Sequence, residues 1–264
     1  MPEQGRTTSV QPGPSVRVFT LGRFRVEREH APLQSGRKAQ RKPIDLLKLL
    51  IAYGGEGVCA EQLAEDLWPD SDGDDALAAL RTTVSRLRKL IGARAVLREG
   101  RGLTLNPDVC WVDALALGRQ LAEFKRGHHD GYGGEVLAGF EDAISLYRGD
   151  FLPGECDLPP VRMARAKLHS LFLRQLGELG RCYEQAGQIA RALDLYRQGL
   201  EIDGTEEEIA RKLMQCCRDS GRAAEGIAVY RSCRAALRAR LDVEPSAATQ
   251  SAYRDLLVNN GAAG

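Results

Sequence analysis

The chain lacks any apolar run long enough to cross a membrane. Its longest hydrophobic stretch, at 46–52 (LLKLLIA), is short and contains a lysine, whereas a spanning helix needs roughly 20 apolar residues. The first residues also lack the apolar core of a signal peptide. The sequence therefore predicts a cytoplasmic protein without a membrane partner.

Paired metal ligands and disulfide partners are equally scarce. The seven cysteines are an odd number without a CxxC pair, and most lie on or beside apolar segments. A free thiol in such a place behaves as a small hydrophobic side chain, so neither a disulfide framework nor a zinc site is expected. The run His128-His129-Asp130 looks like a metal or acid–base cluster, but it has no third ligand nearby and is interpreted as a solvated loop.

Enzyme signatures are missing as well. The chain contains no GxxxxGK[ST] phosphate loop, no GxGxxG after a strand, no HExxH and no GxSxG, which are the motifs that position phosphates, metals or a nucleophile. We therefore expect no cofactor and no catalytic residue, and the protein is predicted not to be an enzyme.

Charge is segregated along the chain although the formal net charge is only +1. Residues 81–101 carry seven basic side chains and one acid, and a second basic cluster lies at 37–42. Between the two clusters, residues 61–75 hold seven acids and no base. Positive blocks that flank a compact fold are typical of a surface that binds phosphates.

The first 111 residues have the element order of a winged helix. Residues 1–15 are predicted to be a disordered tail, and short strands follow at 16–21 and 24–27. A helix that starts near Pro43 and a helix at 60–67 come next. A third helix, capped by Asp74 or Asp75, runs to Ile91, and a basic hairpin with strands at 95–98 and 103–105 follows it. We predict an α+β winged-helix DNA-binding domain at 16–111.

The third helix and its hairpin are the strongest functional signal. A helical wheel buries Leu77, Leu80, Val84, Leu87 and Ile91 and turns a polar face outward. Short or cationic side chains on that face suit DNA: Thr82, Ser85 and Arg86 are expected at base edges, with Arg81 beside them, and Arg88 and Lys89 at backbone phosphates. Arg98 and Arg101 of the hairpin are expected to reach the adjacent minor groove or its phosphates. The cations before the first helix are expected to hold the DNA strand across the groove: Arg37, Lys38, Arg41 and Lys42. The alternative is an ordinary solvated helix face.

Beyond residue 111 the sequence predicts helices only. The segments 143–148, 192–197 and 226–231 resemble one another, and the last two are 34 residues apart. Together with Leu179, Gly180, Tyr183 and Gly187, this period is the tetratricopeptide (TPR) pattern. The first copy requires an insertion, supplied by 149–160, and the repeated tyrosines Tyr147, Tyr196 and Tyr230 are expected in the core. The second domain is thus an all-α helical repeat at 112–258, with a tail at 259–264.

Several motifs resemble one known family. The segment 67–70 (LWPD) followed by 79–92 (ALRTTVSRLRKLIG) resembles the OmpR-type winged helix of Streptomyces antibiotic regulatory proteins, abbreviated SARP. The segments 147–154 (YRGDFLPG), 221–230 (GRAAEGIAVY) and 241–246 (LDVEPS) resemble the bacterial transcriptional activator domain of the same proteins. The likeness runs from about residue 16 to residue 257.

The resemblance implies a sequence-specific transcriptional activator. Members bind double-stranded DNA at direct-repeat promoter sites, often as pairs, and recruit RNA polymerase. The recognition helix would fall at 76–91, the wing at 95–106, and the base contacts among Arg81, Thr82, Ser85 and Arg86. The acidic loop before the helix, with Asp70, Asp72 and Asp74, would contact the polymerase; its other interpretation is a solvated turn with a helix cap. The chain shows neither a receiver domain nor an ATPase module, so control by aspartyl phosphorylation is not expected.

One alternative function stays open from the residues. A TPR-type adaptor could bind a protein through its repeats while the basic amino-terminal domain binds nucleic acid without sequence preference. Selectivity among DNA sequences distinguishes the two functions.

Overall fold

The computed structural model of the protein describes residues 14–33, 40–127, 134–154 and 156–261. Arg37, Lys38, the 128–130 cluster and most of the predicted amino-terminal tail lie outside these residues. The described chain divides into two compact units: the first comprises the residues up to Arg119 together with Leu146–Ala166, and the second comprises Gln120–Ser145 and the residues from Lys167 onward. The single boundary after residue 111 remains a prediction.

Strands and short helices precede a series of helices, which confirms the predicted fold class. In chain order the elements are β1 (Val16–Phe19), β2 (Arg25–Arg28), β3 (Ala31–Pro32), α1 (Arg41–Ala52), β4 (Val58–Cys59), α2 (Ala60–Leu67), α3 (Gly73–Ile91), β5 (Val96–Glu99), β6 (Gly102–Leu105), β7 (Cys110–Val112), α4 (Asp113–Gly127), α5 (Gly134–Leu146), α6 (Pro159–Gln185), α7 (Ile189–Ile202), α8 (Glu207–Asp219), α9 (Ala223–Leu241) and α10 (Ala247–Gly261). Among the described helices none is both long enough and apolar enough to cross a bilayer.

The first sheet of the amino-terminal unit has the strand order β3-β2-β1-β7. Strand β1 runs antiparallel to β2 and parallel to β7. Val16 and Val18 of β1 are buried and alternate with Arg17 and Phe19, whose side chains are half-buried on the other face. Strand β7 was not predicted, because three residues paired with a strand more than ninety positions earlier carry no local periodic signal.

The segment 149–152 extends this sheet region within the same unit. Phe151 bridges to Leu21, the Gly22 N–H donates to the Asp150 carbonyl at 2.9 Å, and the Leu152 N–H donates to the Thr20 carbonyl at 2.8 Å. Gly22 has φ +82°, and a Cβ there would lie 2.6 Å from the Arg148 carbonyl oxygen. The segment was predicted to be an insertion between repeats, whereas its backbone hydrogen bonds place it in the first unit.

The three helices and the second sheet form the rest of the first unit. That sheet has the order β4-β6-β5, and β5 pairs antiparallel with β6 from Val96 opposite Leu105 to Glu99 opposite Gly102. The turn between them uses Gly100 at φ +61°. This is the predicted hairpin. Helix α3 buries four of the five residues of the predicted stripe, and Leu77 is half-buried. Two further residues, Ala76 and Thr83, are also buried.

Helices α7 to α10 show the predicted helical-repeat geometry in the second unit. Helix α8 packs against α7, α9 and α10. Gly187 and Gly221, 34 positions apart, have φ +71° and +70° in the equivalent turns. Tyr196 is fully buried, but Tyr230 is only half-buried and stacks on Tyr253 with ring centroids 4.0 Å apart. The prediction that Tyr230 lies in the core was therefore wrong. Its ring stacks on Tyr253 of α10 near the surface and is not enclosed by a neighbouring repeat.

Candidate nucleic-acid interface

The outward face of α3 presents the side chains that the helical wheel predicted. Thr82, Ser85, Arg86 and Lys89 are all exposed, and so is Arg81 at the edge of the face. The Thr82 hydroxyl donates to the carbonyl of Ala78, one turn earlier, at 3.2 Å. The burial of the opposite stripe leaves this polar face free to approach a ligand.

Helix α3 begins earlier than the sequence predicted. Its N-cap is Asp72, whose carboxylate accepts a hydrogen bond from the Gly73 N–H at 2.7 Å. Asp74 and Asp75, which were the predicted caps, lie in the first turn, where their negative charge is favourable beside the helix N-terminus. The helix ends as predicted at Gly92, which has φ +114°.

Arg88 holds the hairpin against α3. Its Nε donates to the carbonyl oxygen of Val96 in β5 at 2.9 Å, and the side chain is half-buried. This contact links the last turn of α3 to the first residue of β5. Arg88 was predicted as a phosphate contact; the structure gives it a positioning contact inside the protein.

The structure brings four of the predicted arginines to one cleft. Arg81 and Arg88 of α3 and Arg98 and Arg101 of the hairpin line a cleft of about 330 Å³ that also includes Glu61 at the start of α2. Helix spacing alone does not place the hairpin arginines beside the α3 arginines. The pairing of β5 with β6 and the hydrogen bond from Arg88 to Val96 bring them together. The cleft is strongly basic.

Glu61 is the component of this cleft that the sequence reasoning missed. The Cys59 thiol donates to its carboxylate at 3.0 Å. That hydrogen bond, the backbone N–H of Glu61 itself and the nearby charges of Arg101 and Arg98 hold the pKa of Glu61 below its usual value. Its place in the acidic block gave no sign that it would lie among arginines, since the tertiary fold brings them together.

Of the four cations predicted to lie before the first helix, the two that the structure describes are part of α1. Arg41 and Lys42 are its first two residues, and both are exposed. The Lys42 Nζ donates to the carbonyl of Leu67, the last residue of α2, at 2.5 Å and lies 5.2 Å from the Trp68 ring centroid. A cation there is favourable because carbonyl groups at a helix C-terminus lack partners. Lys42 thus links α1 to α2, and Arg41 remains free to approach a phosphate.

The acidic loop 70–75, which includes the N-cap and the first turn of α3, is exposed. Asp70, Asp72, Asp74 and Asp75 are exposed. Within the described part of the chain, no ion pair involves any of these four carboxylates. The loop therefore presents negative charge that no cationic side chain of the described residues pairs with.

Two family models match the chain over these elements. The model described as transcriptional regulatory protein, C terminal, matches residues 36–102, and the model described as bacterial transcriptional activator domain matches residues 112–257. The second match covers more than half of the chain. The chain belongs to the bacterial transcriptional activator domain family.

Curated relatives confirm that this is a SARP-like regulator. Regulatory protein AfsR of Streptomyces griseus is 28% identical over 250 residues, which is 93% of this chain and 25% of AfsR. AfsR of Streptomyces coelicolor is 28% identical over 251 residues, covering 92% and 24%. Regulatory protein DnrI of Streptomyces peucetius is 27% identical over 231 residues, covering 82% of this chain and 84% of DnrI. The SARP-like chain spans about a quarter of the length of the AfsR proteins.

A solved structure supports the fold. Mycobacterium tuberculosis EmbR, in complex with a low affinity phosphopeptide, matches with a TM-score of 0.68 at 18% identity, over 92% of the SARP-like chain and 65% of EmbR. At this identity the likeness shows the fold of the SARP-like chain.

Proposed function

We propose that the SARP-like regulator binds specific double-stranded promoter sites through α3 and the β5–β6 wing and activates transcription there. The observation that carries this proposal is the exposed polar face of α3 beside the cleft of Arg81, Arg88, Arg98 and Arg101. The membership of a family of transcriptional activator domains supports it. A major groove about 12 Å wide admits one helix, and α3 is the helix with a matching face.

Base recognition is assigned to the middle of α3. Arg86 is the outward guanidinium with the reach and fork geometry to bind guanine O6 and N7 together, which is the commonest specific contact in the major groove. Thr82 and Ser85 are exposed on the same face one turn and one residue before it. Their hydroxyl groups can donate to or accept from base edges, and Arg81 lies at the edge nearest the wing cleft.

Backbone binding is assigned to the cations around that face. Lys89, Arg98, Arg101 and Arg41 are exposed, and such side chains neutralise phosphates without reading sequence. Arg88 and Lys42 are assigned positioning roles, because each donates to a carbonyl of a neighbouring element. The negative phosphates of the bound DNA would repel the acidic loop, so the loop is not assigned to DNA.

The acidic loop is assigned to RNA polymerase, and two copies are assigned to adjacent direct-repeat sites. Asp70, Asp72 and Asp74 are exposed and negative, so they suit a basic surface of a protein better than they suit phosphates. Two copies on adjacent sites are held close together by the DNA, so each is present at a high local concentration for the other. Any contact between the copies then raises the affinity of both for the DNA.

The test is selection of bound sequences from a random duplex library by the purified full chain. The selected duplex is then titrated at two salt concentrations beside a scrambled duplex of the same composition. We expect an enriched motif repeated at about one helical turn, bound roughly 10³-fold more tightly than scrambled DNA. The absence of a motif, with all binding lost as salt rises, would contradict the proposal and favour the repeat-based adaptor.

A further inference from the structure

A basic and aromatic groove lies on the outward face of the four-stranded sheet, within the first unit. Its volume is about 650 Å³, and its lining includes Arg17, Phe19, Arg23, Arg25, Trp111 and Arg148. None of these residues belongs to α3 or to the wing. The proposed DNA contacts therefore leave this groove without a role.

The floor of the groove is a row of alternating rings and guanidinium groups. Arg17 pairs in register with Trp111 of β7, and Phe19 pairs with Arg25 of β2. The Arg17 guanidinium lies 5.0 Å from the Trp111 centroid and 5.3 Å from the Phe19 centroid, and that of Arg25 lies 4.2 Å from the Phe19 centroid. These cation–π contacts hold the guanidinium groups of Arg17 and Arg25 over the rings.

The groove keeps a large positive charge. Its carboxylate Asp113 is 4% exposed and accepts hydrogen bonds from the backbone N–H groups of Thr20 and Leu21. Glu27, on the same face of β2, pairs with Arg25 at 3.3 Å. Arg23 and Arg148 are exposed on the rim. A ligand that complements this groove is acidic.

The acidic loop 70–75 has the charge that complements the groove, and it is not part of the lining of the groove in the same chain. Arg28 of β2 donates to the carbonyl of Leu90 at 3.5 Å, which places the sheet beside the C-terminal end of α3. The acidic loop 70–75 lies at the other end of this 19-residue helix, about 28 Å away at 1.5 Å per residue. The acidic loop therefore lies at the end of α3 that is remote from this contact with β2.

We propose that the acidic loop 70–75 of one copy docks in the basic groove of a second copy bound to the adjacent DNA site. This inference rests on the proposed function, because adjacent sites supply the local concentration that a contact of exposed charges requires. Asp70, Asp74 and Asp75 would meet the rim arginines Arg23 and Arg148. The contact joins two different surfaces, so the pair is arranged head to tail.

The head-to-tail arrangement makes the two copies unequal. The loop of one copy is covered, and the loop of the other copy stays exposed. The pair therefore presents one acidic loop to the polymerase. The copy whose loop is covered keeps an empty groove, unless a third copy binds at a further adjacent site.

The experiment compares charge-reversed full-length chains on a duplex with one site and on a duplex with two adjacent sites. The groove variant is Arg23→Glu with Arg148→Glu, and the loop variant is Asp70→Arg with Asp74→Arg. A third chain carries all four substitutions. The control chain carries Arg174→Glu with Arg254→Glu, two exposed arginines of the second unit. The cooperativity factor between the two sites is measured for each chain by titration.

We expect the unaltered and control chains to bind the two-site duplex with about tenfold cooperativity. The groove and loop variants should each bind one site within about twofold of the unaltered chain and lose the cooperativity, since a lost factor of ten corresponds to about 1.4 kcal/mol. The four-substitution chain should recover it, because both charges of the contact are reversed together. Recovery in this chain separates a direct contact from a general effect of charge.

Three results would overturn the inference. Cooperativity retained by both variants would show that the loop and groove do not meet. Weaker one-site binding by the groove variant, with cooperativity intact, would assign the groove to DNA. Loss in both variants without recovery in the four-substitution chain would show that the cooperativity does not come from a direct contact between the loop and the groove. Failure of sequence-specific binding to a single site is a different result, which would overturn the proposed function itself.

Discussion

The carboxylate of Asp113 accepts hydrogen bonds from the backbone N–H and the hydroxyl group of Thr20, which lies 93 positions earlier in the chain. The distances are 2.8 Å and 2.6 Å, and a further bond comes from the Leu21 N–H at 3.0 Å. Asp113 follows β7 directly, and Thr20 follows β1 directly. The Asp113 side chain therefore links the ends of the parallel strands β1 and β7 by hydrogen bonds, at the start of α4.

Replacement of Asp113 by Asn should destabilise the first unit. An amide NH₂ group in place of one carboxylate oxygen would face N–H donors, leaving a buried donor unsatisfied at a cost of roughly 1–3 kcal/mol. Urea denaturation followed by tryptophan fluorescence reports this unit, because both tryptophans, Trp68 and Trp111, lie in it. The control Asp108→Asn, at an exposed side chain, should leave the midpoint unchanged. Equal midpoints for both variants would contradict the role of Asp113.

Arg86 and Arg88 should respond differently to replacement by Ala. Arg86→Ala should weaken binding to a selected duplex by roughly 1–3 kcal/mol and blur the base preference, with stability unchanged. Arg88→Ala should lower binding and also lower stability by about 0.5–1.5 kcal/mol, because the bond to Val96 is lost. Titration of each variant beside its urea denaturation curve separates the two roles. A stable Arg88→Ala protein with only weaker DNA binding would make Arg88 a direct contact.

Gly180→Ala should strain the helical repeats. A Cβ at this position would lie 2.6 Å from Cζ of the buried Tyr196 ring, and such overpacking costs about 1–3 kcal/mol. The matched control is Gly139→Ala in α5, where a Cβ meets no described atom within 4 Å. The control should be neutral or raise stability by about 0.4–1 kcal/mol, because alanine lowers the conformational entropy of the unfolded chain. Urea denaturation followed by far-UV circular dichroism measures both; a neutral Gly180→Ala would show that Tyr196 can move.

Glu244 should titrate at unusually low pH. Hydrogen bonds from Arg234 and Arg238 lower the pKa of its carboxyl group from 4.5 to about 2. Because the folded pKa lies below the unfolded one, its contribution to stability is complete above pH 4.5 and is lost as the pH falls toward 2. Carboxyl carbon NMR should show this titration, and the variant Arg234→Gln with Arg238→Gln should return the pKa of Glu244 toward 4.5. An unshifted pKa in the unaltered chain would contradict the contact.

Local patterns in the sequence were enough to predict most elements of the first unit and the exposed face of α3. Leu80, Val84 and Leu87 recur at helical spacing, so their burial requires Ser85 and Arg86 to face outward whatever the helix packs against. In the same way, Gly187 and Gly221 mark equivalent turns because glycine readily adopts the positive φ that these turns have. Such features depend on neighbours a few residues apart.

Features that depend on distant residues were not predictable. The parallel pairing of β1 with β7, the segment 149–152 beside the first sheet and the row of Arg17, Phe19 and Trp111 join residues that no local period relates. The same is true of Glu61 in the arginine cleft. The sequence by itself determined the helices, the hairpin and the sign of each charged segment, because these follow from spacing and residue type. Only the tertiary structure decided which charged segments meet, because long-range pairing and close packing set those distances.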